Sequence, residues 1–249
     1  MITIKSHKEI DLMRQAGSIV AKAHCLIEEM IKPGVTTLEL DQAVEALIRD
    51  AGATPTFKGY SGYPKSICTS VNEEVVHGIP SKRKLCEGDI VSVDIGATFK
   101  GYVGDAARTH PVGKISSEAD KLIKITRESF FKGIEFAREG YRLSDISNAI
   151  QTYVEANGFS IVRDFVGHGV GSKMHEDPPI PNYGQKGRGP RLRAGMTLAI
   201  EPMVNVGTYE VRILDDEWTV VTLDGKLSSH YEHSVLITGT GEPELLTVI

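Results

Sequence analysis

The sequence has no apolar run approaching the roughly 18 residues of a membrane span, and its N-terminus enters an amphipathic pattern instead of a signal peptide. It has few cysteines. Cys25, Cys68 and Cys86 are odd in number and lack C-x-x-C spacing, which argues against a disulfide framework or a zinc knuckle. No long block of either charge occurs: 28 basic against 33 acidic side chains give −5 and leave no footprint for wrapping nucleic acid. The short basic cluster Lys82 to Lys84 follows a Gly-Ile-Pro turn signal and reads as a solvated loop. Two common motifs are missing as well. Gly167-His168-Gly169 lacks the G-x-G-x-x-G spacing of a phosphate loop, and Pro178-Pro179 after His175-Glu176 removes the helix that a zincin needs. The expectation is a cytoplasmic protein with neither membrane nor nucleic acid as partner. What is present is an apolar fraction of 41% over 249 residues, ordinary for a chain with a real core.

The chain reads as if written twice. Ser6-x-x-Glu9 is a capping box, followed by Ile10, Met13, Ala16, Val20, Ala23 and Ile27 at helical spacing until Pro33-Gly34. Thr36-x-x-Glu39 opens a second helix, with Leu40, Ala43, Val44 and Leu47 inside and Gly52 at its end. From Ser117 the order returns: a long amphipathic segment runs to Gly140, and a helix carrying Ile146, Ala149, Ile150 and Tyr153 runs to Gly158. Gly34 to Gly140 and Gly52 to Gly158 are each 106 positions, and Gly88 to Asp94 aligns with Gly195 to Glu201 at an offset of 107. Each half is therefore expected to end its first strong strand on a carboxylate. The register suggests an internal duplication, about 1–110 and 111–249, within a single α+β domain of pseudo-twofold symmetry with antiparallel sheet and flanking helices.

Alternation in Ile90 to Ile95 puts Val91, Val93 and Ile95 on one face and Asp94 with Ser92 on the other. A turn near Lys100-Gly101 brings Asp105 back beside Asp94. Two carboxylates so close repel, and ionising either without a partner in a dry site costs several kcal/mol. Something positive belongs between them. Arg108, three residues after Asp105, offers a salt bridge as the plain alternative to a metal. His168, Glu201 before Pro202, and Glu232 in Tyr231-Glu232-His233 complete a set of four carboxylates and one imidazole. Such a set can hold two divalent cations, with a bridging water acidified enough to attack a peptide carbonyl.

Over essentially its whole length the sequence resembles the type I methionine aminopeptidases. The likeness lies in Gly59-Tyr60-Ser61-Gly62-Tyr63-Pro64-Lys65-Ser66, in Val71 to Pro80, in Asp94 with Gly104-Asp105, in Gly167 to Gly171 through Met174-His175-Glu176, and in Glu201-Pro202-Met203. The resemblance implies the pita-bread fold and a metal-dependent aminopeptidase that removes the N-terminal methionine of nascent proteins, preferring a small second residue. It implies Asp94, Asp105, His168, Glu201 and Glu232 as metal ligands, with Asp105 and Glu232 bridging and Glu201 also moving protons. His77 and His175 would be the catalytic histidines that hold no metal. Val76 stands where some relatives have cysteine, which leaves the ligands unaffected. Phe57, Tyr60, Tyr63, Cys68, Met174 and Trp218 would line the methionine pocket, with Trp218 as hairpin core the alternative. Cys68 beside that pocket suggests sensitivity to thiol reagents.

Such a site accepts Fe(II), Mn(II), Co(II) or Zn(II), so the residues leave the metal open. A monomer of the bacterial type is expected, without an N-terminal zinc-finger extension, and any transient ribosome association would then use the catalytic domain. Two other readings compete: an X-Pro dipeptidase or aminopeptidase P of the same fold, and a non-catalytic binder of RNA or ribosomes. Those peptidases carry a preceding domain and such binders are expected to have lost ligands, whereas all five ligand types are present here.

Overall fold

The computed structural model describes residues 1–249. Helix α1, His7–Met30, opens on the expected capping box: the Ser6 backbone N–H donates to Glu9 Oε2 at 2.7 Å while the Glu9 N–H donates to Ser6 Oγ. Helix α2, Thr37–Asp50, repeats the device with Thr36 and Glu39. Leu40, Val44 and Ile48 of α2 and Val20, Ala23 and Ile27 of α1 pack in one buried cluster with Val91, Val93 and Ile95. The antiparallel hairpin of strands Ile90–Phe99 and Tyr102–Pro111 provides that floor, turning at Lys100 and Gly101, both with positive φ. Strands Ile67–Val71 and Thr54–Pro55 flank it in a four-stranded sheet.

In the second half, α3 (Ser117–Ile134) and α4 (Leu143–Ala156) pack over the other large core, which holds Phe130, Ile146, Ile150, Leu198, Ile200 and Val235. A five-stranded antiparallel sheet runs Glu244–Leu245, His233–Leu236, Thr197–Ile200, Gly167–Gly169 and Glu176–Ile180. The two sheets meet where the hairpin's return strand touches residues 232–234. There the Glu232 N–H donates to Ala107 O at 2.9 Å, and the Asp105 N–H donates to Ser234 Oγ at 3.1 Å. This seam is where residues of both halves converge.

The approach of α1 to the seam depends on glycine. A Cβ on Gly104 would lie 2.6 Å from the Gly17 backbone N, and one on Gly17 would lie 1.9 Å from Leu246 O. No helix is long and apolar enough to cross a membrane.

Two expectations need correction. The helix that was to run to Gly140 ends at Ile134, and turns follow, closed by bonds such as Ala137 N–H to Ile134 O. Ala137 is still buried and Phe136 packs against the same core, so apolar spacing continues after the helical backbone has stopped. Asp94 does not end its strand, which continues to Phe99, because residues 95–99 keep pairing with 102–106. Glu201, by contrast, does follow directly on its strand.

Candidate metal centre

The hairpin register pairs Asp94 with Ala107 and Gly96 with Asp105, so the two aspartates share one face, two residues apart. Gly96 belongs to the arrangement: a Cβ there would lie 2.5 Å from the Phe57 ring, which packs beside Asp94. His168 stands opposite Ala199, Glu201 follows Ile200, and Ile200 pairs with His233, beside Glu232. The second sheet therefore directs one imidazole and two carboxylates toward the aspartates of the first. All five line one cavity.

His168 Nε2 lies 3.7 Å from Asp105 Oδ2 and 3.6 Å from Glu201 Oε1. Candidate ligand atoms of Asp105, His168 and Glu232 fall within 4.8 Å of one another. Burial pushes the carboxyls of Asp94, Asp105 and Glu232 well above the usual range, reinforced in each by a neighbouring carboxylate. Burial raises Glu201 to about 8. His168 moves the other way, to about 4, first through burial and then through the nearby His175. Its Nδ1 lies 2.9 Å from Gly169 O, so that nitrogen donates and Nε2 turns a lone pair toward the acids.

Divalent cations fit these residues. Asp94 Oδ1, Asp105 Oδ1 and Glu232 Oε1 are out of solvent with no hydrogen-bond partner, an unfavourable state for carboxylates unless a cation compensates. The salt-bridge alternative fails. Arg108 makes no ion pair and sits opposite Val93 in the hairpin, on the other face from Asp94 and Asp105. Oxygen-rich donors with one imidazole suit first-row divalent ions.

Beside the ligands the same cavity is apolar, about 180 Å³, with Phe57, Tyr60, Tyr63, Cys68, Met174 and Trp218 in its wall. Tyr63 is fixed by its hydroxyl, which lies 3.1 Å from Ile67 O and 3.0 Å from Gly78 O and has either carbonyl as acceptor for its proton, and its ring meets Trp218 edge-on with centroids 5.0 Å apart. Trp218 thus belongs to the wall and not only to a hairpin. His77, at φ 60, also lines the cavity, its ring edge-on to Phe165. Tyr60 Oη lies 2.6 Å from His175 Nδ1, and the His175 ring packs on that of His168 at 4.3 Å. Burial, with help from Asp94, holds the Cys68 thiol well above its ordinary pKa, which argues against the thiol-reagent sensitivity expected of it.

The sequence reading missed His230, whose Nε2 lies 3.4 Å from Glu201 Oε2. It is two residues from Glu232, so a listing of titratable neighbours would have raised it. Val76, Phe165, Val166 and Met203, also in the wall, carried no signal beyond ordinary core residues.

The sequence profile described as metallopeptidase family M24 matches residues 11–239. A methionine aminopeptidase of Clostridium perfringens is 61% identical over 249 residues, covering 100% of both chains. The crystal structure of methionine aminopeptidase from Thermotoga maritima superposes with a TM-score of 0.98 at 48% identity, covering 100% of both chains. A prolidase from Pyrococcus furiosus shares the fold at lower similarity, with a TM-score of 0.81 and 25% identity over 99% of this chain and 65% of that one. With the pita-bread architecture and a buried acid cluster already in place, these likenesses mean that the chain belongs to metallopeptidase family M24, among the methionine aminopeptidases.

Proposed function

We propose that this chain hydrolyses the peptide bond after an N-terminal methionine, with newly made polypeptides as substrates and a small second residue preferred. The observation that carries this reading is a single cavity that joins an apolar, aromatic-walled pocket to five clustered ligand side chains. An unbranched thioether suits such a wall, since each sulfur–aromatic contact contributes roughly 0.3 to 1.5 kcal/mol.

Asp94, Asp105, His168, Glu201 and Glu232 would hold two divalent cations, with Asp105 and Glu232 shared between them. When bound, the cations supply Lewis-acid polarisation of the scissile carbonyl and an acidified water. Glu201 sits next to the reacting centre, where its carboxylate takes a proton at Oε and passes it to the leaving amine. Burial also keeps His77 and His175 neutral, so each presents one ring N–H. With the Tyr60 hydroxyl donating to Nδ1, His175 carries its proton at Nε2 and offers it to the developing oxyanion, a role worth about 3 kcal/mol. His77 contacts the scissile amide. Phe57, Tyr63, Met174 and Trp218 exclude water around the methionine side chain.

We also read residues 1–249 as one catalytic domain with related halves, about 1–110 and 111–249. Two helices open each half, and each half contributes ligands from its own sheet. Monomeric action and transient ribosome association are compatible with this arrangement.

Initial rates of the metal-loaded protein on a Met-Ala-Ser peptide and on an Ala-Pro peptide test the reading. Cleavage of the first and not the second is expected; preference for the second would assign the site to X-Pro hydrolysis instead.

A further inference from the structure

Behind the metal site, residues of the Tyr102–Pro111 strand that point away from the acids enter a second cavity of about 460 Å³. Arg108 and His110 line it from that strand, Arg127 and Phe131 from α3, and Glu28 from the exposed side of α1. Its balance of permanent charge is two arginines against one glutamate.

Neither arginine is neutralised by the fold. The chain's arginine ion pairs are made by Arg14, Arg49, Arg83 and Arg138, and Arg108 and Arg127 make none. Arg108 Nε and His110 Nε2 are both out of solvent without a hydrogen-bond partner, and His110 is only 9% exposed as a residue. Buried groups of this kind are normally satisfied, and leaving one unmade costs about 1–3 kcal/mol. The positive charge of Arg108 adds to burial in pushing His110 down to about 4, so His110 is a neutral ring able to donate at Nε2. Two other polar groups nearby are already engaged: Thr109 Oγ1 donates to His230 O, and Tyr231 Oη bonds His233 Nε2.

We propose that this cavity is a binding site for a small phosphate-bearing anion, either inorganic phosphate or a phosphate monoester. Planar guanidinium forks match phosphate oxygens, and the several acceptor oxygens of a phosphate can serve both guanidinium groups and the His110 N–H together. Glu28, exposed at the edge, disfavours larger polyanions. The site is distinct from the metal centre, with the strand itself and His230 between them.

Calorimetric titration of the metal-loaded protein with inorganic phosphate, and separately with methyl phosphate, tests the assignment. Arg108→Gln and Arg127→Gln are each expected to weaken binding by about tenfold or more. Lys124→Gln, an equal charge change on α3 outside the cavity, is expected to alter it by less than about twofold. Arg127 is exposed, so its variant tests the site without disturbing the core. Tighter binding of the ester, with the same dependence on the arginines, would identify the ester as the occupant. Absence of binding at millimolar anion would overturn the proposal. So would equal affinity in all four proteins, which would place phosphate on the metals.

Discussion

Single side chains decide the chemistry here. Glu201→Gln keeps the volume of the side chain but removes its proton-accepting oxygen, so kcat is expected to fall by at least about a hundredfold, with weaker retention of metal. His175→Ala is expected to lower kcat by about 10² to 10³ with circular dichroism unchanged. Turnover within a few-fold of wild type would remove either residue from the mechanism. A buried imidazole away from the ligands supplies a pH test. His24 Nε2 lies 2.9 Å from Ala106 O, and burial followed by the charge of Arg108 holds the ring well below the ordinary imidazole range. A depressed folded value means that the stabilising difference is present above the unfolded value and is lost as pH falls below about 6.5. The ring resonances of His24 should stay those of the neutral form until acid unfolds the protein; titration near pH 6.5 in the folded state would contradict this. At this scale the sequence was readable only in part. The spacing of Asp94 and Asp105 was visible because strand alternation is local, whereas His230 and the true surroundings of Arg108 depend on which strands meet. The roles of His77, His175 and the pocket residues came from the resemblance, since a lone histidine has no local signature.

Secondary-structure elements were legible where their signals are short-range. The capping boxes of α1 and α2 and the turn at Lys100-Gly101 stand where sequence placed them, because each depends on residues within one turn. The end of α3 and the continuation of the Ile90–Phe99 strand past Asp94 were not, because apolar spacing reports burial and does not report backbone conformation. The passage of α1 over the return strand gives a test at this scale. Gly104→Ala would drive a methyl into Gly17 backbone atoms 2.6 Å away, which cannot move aside as a side chain would. A loss of about 1–3 kcal/mol in denaturant unfolding is expected, together with weaker metal binding, since Asp105 is the next residue. Unchanged stability would show that the helix can shift without consequence.

For the molecule as a whole, the two helical halves enclose a dry seam filled with acids from both sheets. Offsets of 106 and 107 residues suggest paired halves in the sequence, while the convergence of the ligands required a structure. Since burial and mutual repulsion raise Asp94, Asp105 and Glu232 together, removing metal leaves the seam uncompensated near neutral pH. A chelator is therefore expected to lower Tm by several degrees at pH 7, and re-addition of Mn(II) to restore it. A melting curve indifferent to chelator would count against a seam held by cations. The most direct measurement is anomalous diffraction from crystals loaded with Mn(II). Two peaks are expected, each within coordination distance of oxygens or nitrogen from Asp94, Asp105, His168, Glu201 and Glu232; no peak among these five residues, or metal bound elsewhere, would contradict the account.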